Sequence, residues 1–246
     1  MRRYGIVLFA LALAAAPARA RAQLPLPLVE VPAAGGASHG LVAILLTADG
    51  GWAAFDREVA ERLAAAGVPV VGWSSLAYYR RQRTPEGAAA DLALVLRHYL
   101  PPGDGRAYLV GYSFGADVLP FLVNRLPPEL RRRVAGVGLV GLSSFAVFQF
   151  HASEWVGVLR GPRYATLPEA RRLDDLPVLC VYGRDDRDEA CDALSMPNAR
   201  VVAIDSGHRM GGVGAMVGDM LVHAAASAAA PAEAVGATRA RSRRGM

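Results

Sequence analysis

The sequence predicts an α/β fold: a mostly parallel central sheet with helices on both faces and a small cap insertion. Three observations carry this. Short runs are continuously apolar rather than alternating, as strands buried on both faces require. Segments of helical period separate them, and turn chemistry marks the junctions. In order, LVAILLT (41–47) reads as the first buried strand. AAFDREVAERLAAAG (53–67) follows, with Phe55, Val59 and Leu63 at helical spacing and Gly67 as a stop. VPVVGW (68–73) is a second strand. TPEGAAADLALVLRHYL (84–100) opens with a Thr cap, Pro at the first helical position and Glu in the first turn. RAYLVGY (106–112) is a strand, and a helix runs from about Phe114 to Asn124. VAGVGLVGL (134–142), LPVLCVYG (176–183) and ARVVAID (199–205) complete the strands, and GAMVGDMLVHAAASAAA (214–230) is the closing helix. The stretch before residue 37, QLPLPLVEVPAAGG, reads as a Pro-rich leader. The irregular stretch 143–176, too short for a domain of its own, is expected to cap one end of the sheet.

At 246 residues, 53% hydrophobic and 20% charged, the chain suits one domain with a large core. Its first 22 residues have a basic start (MRRYG), a short apolar run (IVLFALALAAA) and small residues (PARARA), which is the pattern of a cleavable secretory signal, with an uncleaved membrane anchor as the alternative. The domain is then residues 23–230, outside the cytoplasm, and 231–246 is an Ala/Arg-rich tail expected to be disordered. The calculated pI of 9.6 invites a nucleic-acid partner, but the charge is in the tails. Arg2, Arg3, Arg19 and Arg21 lie in the first segment, and Arg239, Arg241, Arg243 and Arg244 in the last, against Glu233. The body keeps 19 basic and 21 acidic residues, so composition implies no basic face and gives nucleic-acid binding by the domain no support. Two cysteines, Cys180 and Cys191, in an exported chain favour a disulfide over a metal site, which would lack companion ligands.

The chemistry sits in LVGYSFGADVLPF (109–121). GYSFG fits G-x-S-x-G, with a strand before it and a helix after, the context of a nucleophile elbow. Gly111 and Gly115 lack the Cβ atoms that would clash around so sharp a turn. Ser113 is therefore the candidate nucleophile, and it needs a base with an orienting carboxylate. On an α/β-hydrolase sheet the chain order is serine, acid, histidine. His39 and His98 precede the serine, and His151 precedes any suitable acid. His223 lies in an apolar helix and reads as a core histidine. His208, in DSGHRM after a strand, is the candidate base. The acid belongs to GRDDRDEAC: Asp186 is preferred, with Asp185 and Asp188 as competitors. The oxyanion donors are the amide of Phe114 and one from ADGGW (48–52), where Gly50 or Gly51 lets backbone approach a ligand. Such a triad needs neither metal nor organic cofactor.

Several segments resemble the bacterial virulence protein family of VirJ and AcvB: DGGW, RTPEG, GYSFGADVLPF, FQFHASEW and CVYGRDDRDEAC, spanning about residues 41 to 208. The resemblance implies an α/β-hydrolase fold, a periplasmic location, a link to type IV secretion and virulence, and hydrolysis of the lysyl ester of lysyl-phosphatidylglycerol. It also implies that Cys180 and Cys191 beside the acid loop are a family feature. After the histidine, GHRMGGVGA departs from the family's second histidine, aromatic residue and acids. An aminoacyl ester carries ammonium groups that need carboxylates, for which Asp49 and Asp117 are candidates. Phe148, Phe150 and Trp155 are candidates for a lipid-facing rim. The expected partners are an ester substrate, a phospholipid headgroup among them, and periplasmic secretion proteins. The alternatives are an esterase of another ester or a non-catalytic secretion accessory.

Overall fold

The structure, a computed structural model, describes residues 23–36, 40–150 and 161–230. The expected signal segment 1–22, the tail 231–246, and His39, His151 and Trp155 lie outside the described residues.

Valine, isoleucine and leucine dominate the runs that become the central strands. β2 (Leu41–Leu46), β4 (Arg106–Tyr112) and β5 (Val134–Val140) are buried almost throughout. With β1 (Leu28–Val31), β3 (Val70–Trp73), β8 (Val178–Gly183) and β9 (Ala199–Ile204) they form a seven-stranded sheet in the order β1-β3-β2-β4-β5-β8-β9. Every pairing is parallel except the edge pair of β1 with β3. β1 corrects the leader expectation. The prolines at 25 and 27 stop short of it, and Leu28–Val31 is a short edge strand in antiparallel register with Val70–Trp73.

Helices cover both faces. α1 (Ala54–Ala65) turns Phe55, Val59 and Leu63 inward and packs on α7 (Gly214–Ala229). On the other face lie α3 (Pro85–Tyr99) and α4 (Phe114–Asn124). Thr84 caps α3, its Oγ1 accepting from the Gly87 N–H at 3.0 Å. Three short helices do not show in the sequence: α2 (Ser75–Tyr78), α5 (Pro128–Arg131) and α6 (Thr166–Arg171) of the cap. One or two turns have too few residues to show a period.

The cap pairs β6 (Phe145–Ala146) with β7 (Tyr164–Ala165) and continues into α6 (Thr166–Arg171). Phe148 is 4% exposed and packs edge-on to Phe121, Tyr79 and Tyr164, so it is core and not rim. Between β8 and β9 the chain has no helix. The loop is fastened by a disulfide between Cys180 on β8 and Cys191.

Candidate active site

Parallel strands deliver their carboxyl ends to one edge of the sheet, and three loops converge there. The first is the turn between β4 and α4. A Cβ on Gly111 would lie 2.5 Å from the Gly115 carbonyl oxygen, and one on Gly115 would lie 2.2 Å from the Leu46 carbonyl oxygen. Both partners are backbone and cannot swing aside, so the turn requires glycine at each position. Between them Ser113 holds φ 51° and ψ −117°, in the region where backbone strain collects at functional residues. Its N–H is tied to the Val140 carbonyl at 2.8 Å, and its own carbonyl accepts from Asp117 at 3.0 Å to start the helix. Phe114 opens α4, so its N–H has no acceptor within the helix.

The second loop follows β9. His208 Nε2 lies 2.8 Å from Ser113 Oγ. Tyr112, one residue before the serine, donates its hydroxyl to the Arg209 carbonyl at 2.8 Å and so pins the histidine loop to the elbow. Met210, with φ 48° and 1% exposure, anchors the far side. Neither role is marked by a motif. The x in G-x-S-x-G admits any residue, which is why Tyr112 escapes sequence reasoning.

The third loop follows β8. Asp186 Oδ2 lies 2.6 Å from His208 Nδ1, and its other oxygen accepts from the Asp188 N–H at 3.1 Å. The Asp186 side chain is only 5% exposed. Asp185 instead donates its N–H to Ser206 at 3.2 Å, and Asp188 is exposed. Of the three competing aspartates, only Asp186 reaches the imidazole.

On the oxyanion side Gly51 is corrected. Its N–H is spent on the Ala48 carbonyl at 3.1 Å, with φ +73°, and the residue is buried outside the cavity. Ala48, Asp49 and Gly50 do line the cavity beside the serine. The cavity holds about 790 Å³, and exposed Phe145 with half-buried Val147 and Phe150 supplies part of its apolar lining. Asp117 lines it one turn after the serine and accepts the Ser143 N–H at 2.7 Å. Burial pushes its carboxyl well above the usual range against that hydrogen bond, and the charge of Asp188 adds to the rise. Asp188 and Glu58 also line the cavity, as do Arg163 and Arg209. His223 is not a core residue as read from its helix: it is exposed, on the far side of the sheet beside β9. Among the described residues no cluster of three His, Cys, Asp or Glu is placed to hold a metal ion.

The sequence profile of the family described as bacterial virulence protein (VirJ) matches residues 40–229. No curated protein matches the chain. Solved structures with similar architecture include the esterase domain of a Rhodothermus marinus protein, 13% identical with a TM-score of 0.57, covering 80% of this chain and 91% of that one. The thioesterase domain from the curacin biosynthetic pathway is 16% identical with a TM-score of 0.55, covering 79% and 94%. YbtT, a type II thioesterase from the yersiniabactin pathway, is 18% identical with a TM-score of 0.56, covering 83% and 100%. These likenesses identify the architecture as the α/β-hydrolase fold.

Proposed function

This chain belongs to the VirJ family of bacterial virulence proteins, and on that premise we propose that it is a periplasmic serine hydrolase cleaving the aminoacyl ester, lysyl above all, of phosphatidylglycerol. The observation that carries the hydrolase reading is the line from Ser113 Oγ to His208 Nε2 at 2.8 Å and from His208 Nδ1 to Asp186 at 2.6 Å. A binding module needs no such line. Ser113 attacks the ester carbonyl while His208 takes the hydroxyl proton, and Asp186 holds the imidazole in the tautomer that leaves Nε2 free to accept. The Phe114 amide and one from residues 48–50 meet the oxyanion, each worth about 3–4 kcal/mol. His208 then protonates the departing glycerol oxygen. Water, deprotonated by the same histidine, frees the amino acid and restores Ser113.

Support for the substrate class comes from the cavity's charge. Asp49, Asp117, Asp188 and Glu58 outnumber Arg163 and Arg209 around the serine, a setting that favours an ammonium-bearing acyl group. The raised proton affinity of Asp117 falls once an ammonium sits beside it. The export signal read in residues 1–22 supports the periplasm. The apolar lining by Phe145, Val147 and Phe150 favours a second reading, esters of other acyl groups.

Two assays test this. A fluorophosphonate probe labels the folded wild type and fails to label Ser113→Ala; equal labelling of both excludes the hydrolase. Lysyl- and alanyl-phosphatidylglycerol are then scored for released amino acid. Turnover of simple esters without release from either lipid moves the assignment to the second reading.

A further inference from the structure

The loop after β3 places Arg80, Arg81 and Arg83 on the same sheet edge as Ser113. With Tyr78, Pro25 and Leu26 they line an open hollow of about 620 Å³. Many guanidiniums of this fold are committed to carboxylates: Arg62 to Asp219, Arg125 to Glu86 and Glu169, Arg131 to Asp175, Arg184 to Asp205. None of the three is paired with a carboxylate among the described residues. Arg83 lies 4.3 Å over the Tyr78 ring and donates to the Tyr78 carbonyl at 3.3 Å. Arg80 and Arg81 are exposed. Asp91, on α3 beyond this loop, accepts the Tyr78 hydroxyl at 2.5 Å.

This basic rim is joined to the active-site cavity. The Tyr79 ring packs 4.9 Å from that of Phe114, the residue after the nucleophile. Phe150 donates its N–H to the Tyr79 carbonyl at 2.8 Å, and Arg83 donates to the Phe148 carbonyl at 2.8 Å. Among the residues lining that cavity Phe145 is 44% exposed, with the Arg163 guanidinium 4.2 Å over its ring. One edge of the molecule thus carries an acidic interior, a hollow lined by three arginines and an exposed apolar side chain, Phe145.

We propose that this edge docks the protein on an anionic phospholipid bilayer, with Arg80, Arg81 and Arg83 on the phosphodiesters and Phe145 at the interface, so that a headgroup ester meets Ser113. Guanidinium forks suit phosphodiesters, and exposed arginines beside apolar side chains suit a surface that is charged outside and oily beneath. A site for a single free phosphate would enclose its arginines, whereas these line an open hollow. Unmodified phosphatidylglycerol around the aminoacylated lipid supplies the negative surface, while the cationic headgroup goes to the acidic cavity. The proposal rests on the hydrolase reading only for what docking serves; binding is measured without turnover.

The test uses the mature chain, residues 23–246, carrying Ser113→Ala and vesicles of phosphatidylglycerol with phosphatidylethanolamine, against neutral phosphatidylcholine vesicles. Arg80→Gln with Arg81→Gln changes two exposed side chains outside the catalytic machinery. The expected result is a preference for the anionic vesicles, lost on adding salt, and a roughly thirty-fold weaker affinity for them in the double variant. Binding to neutral vesicles and the melting temperature stay unchanged. In the Ser113 background the same double variant keeps full turnover of soluble 4-nitrophenyl acetate. Equal affinity of parent and double variant for anionic vesicles overturns the proposal. So does loss of the anionic preference on replacing Arg241 and Arg243 of the tail while the rim variant retains it. Tighter binding to DNA or inorganic phosphate than to the vesicles, abolished by the rim variant, assigns the rim to another anion and also overturns it. Vesicle binding that depends on Arg80 and Arg81, found with no ester turnover by the Ser113 form, supports docking and sinks only the hydrolase reading.

Discussion

Asp186→Asn removes a charge and keeps a shape, and its neighbours dictate how the new amide must sit. The two oxygens of Asp186 face two groups, the Asp188 N–H at 3.1 Å and His208 Nδ1 at 2.6 Å. An asparagine offers one acceptor where two are needed. If its oxygen stays on Asp188, the NH2 group faces Nδ1, which then accepts, and the ring proton moves to Nε2, 2.8 Å from Ser113. A base already holding that proton cannot take the serine's. If the amide turns over, NH2 abuts the Asp188 N–H, and the imidazolium formed during attack has no counter-charge. At 5% exposure, water does not replace the lost carboxylate. Either arrangement predicts a loss of about 10,000-fold in kcat/KM, the scale seen for the same change in a serine-protease triad, or roughly 5.4 kcal/mol of transition-state stabilisation. Steady-state hydrolysis of 4-nitrophenyl acetate measures it, with thermal melting to show an intact fold. A loss below about tenfold, or a larger loss from Asp188→Asn or Asp185→Asn, would refute Asp186 as the partner of the histidine.

Three further outcomes are expected. Gly115→Ala drives a Cβ to 2.2 Å from the Leu46 carbonyl oxygen and costs about 3 kcal/mol or more in urea unfolding, while Gly50→Ala, with nothing within 4 Å, stays within about 0.5 kcal/mol. Burial raises the Asp56 carboxyl from 3.8 to about 6, although it accepts the Ala53 N–H. Between those values the folded chain holds the proton that the unfolded chain has lost, so its contribution is complete below the lower value and gone above the upper. Asp56→Asn therefore stabilises by up to roughly 3 kcal/mol at about pH 8 and by little at about pH 4, checked by melting at both. Reducing the Cys180–Cys191 bridge opens a loop with a sequence separation of 11, costing about 3 kcal/mol. Because Asp186 lies within that loop, kcat falls with reduction while Ser113→Ala protein loses only stability.

Legibility in the sequence followed the strength of local patterns. The buried strands and the long helices read correctly because each repeats its pattern over several turns or pleats, and the elbow because sterics leave glycine no substitute at 111 and 115. β1 hid behind two prolines that look like a leader, since an edge strand needs only four residues and one neighbour. Gly51 looked like a donor because flexibility is visible in a sequence, while the bond that spends its N–H on Ala48 is not. His208 and Asp186 were reached through chain order. Tyr112, Met210 and the Ser143 amide, which position the loops around them, act through contacts between distant segments that no local pattern records.

The left-handed backbone at Ser113 has an evolutionary consequence. An L side chain at φ 51°, ψ −117° costs about 1–3 kcal/mol, a burden glycine would not carry. The alcohol thus sits where glycine would be more stable, and Ser113→Gly is expected to raise the melting temperature while ending ester turnover. A descendant released from that turnover drifts to glycine at this position and melts higher for it. Across sequences sharing this elbow, the letter at position 113 separates lineages still under catalytic selection from those that have left it.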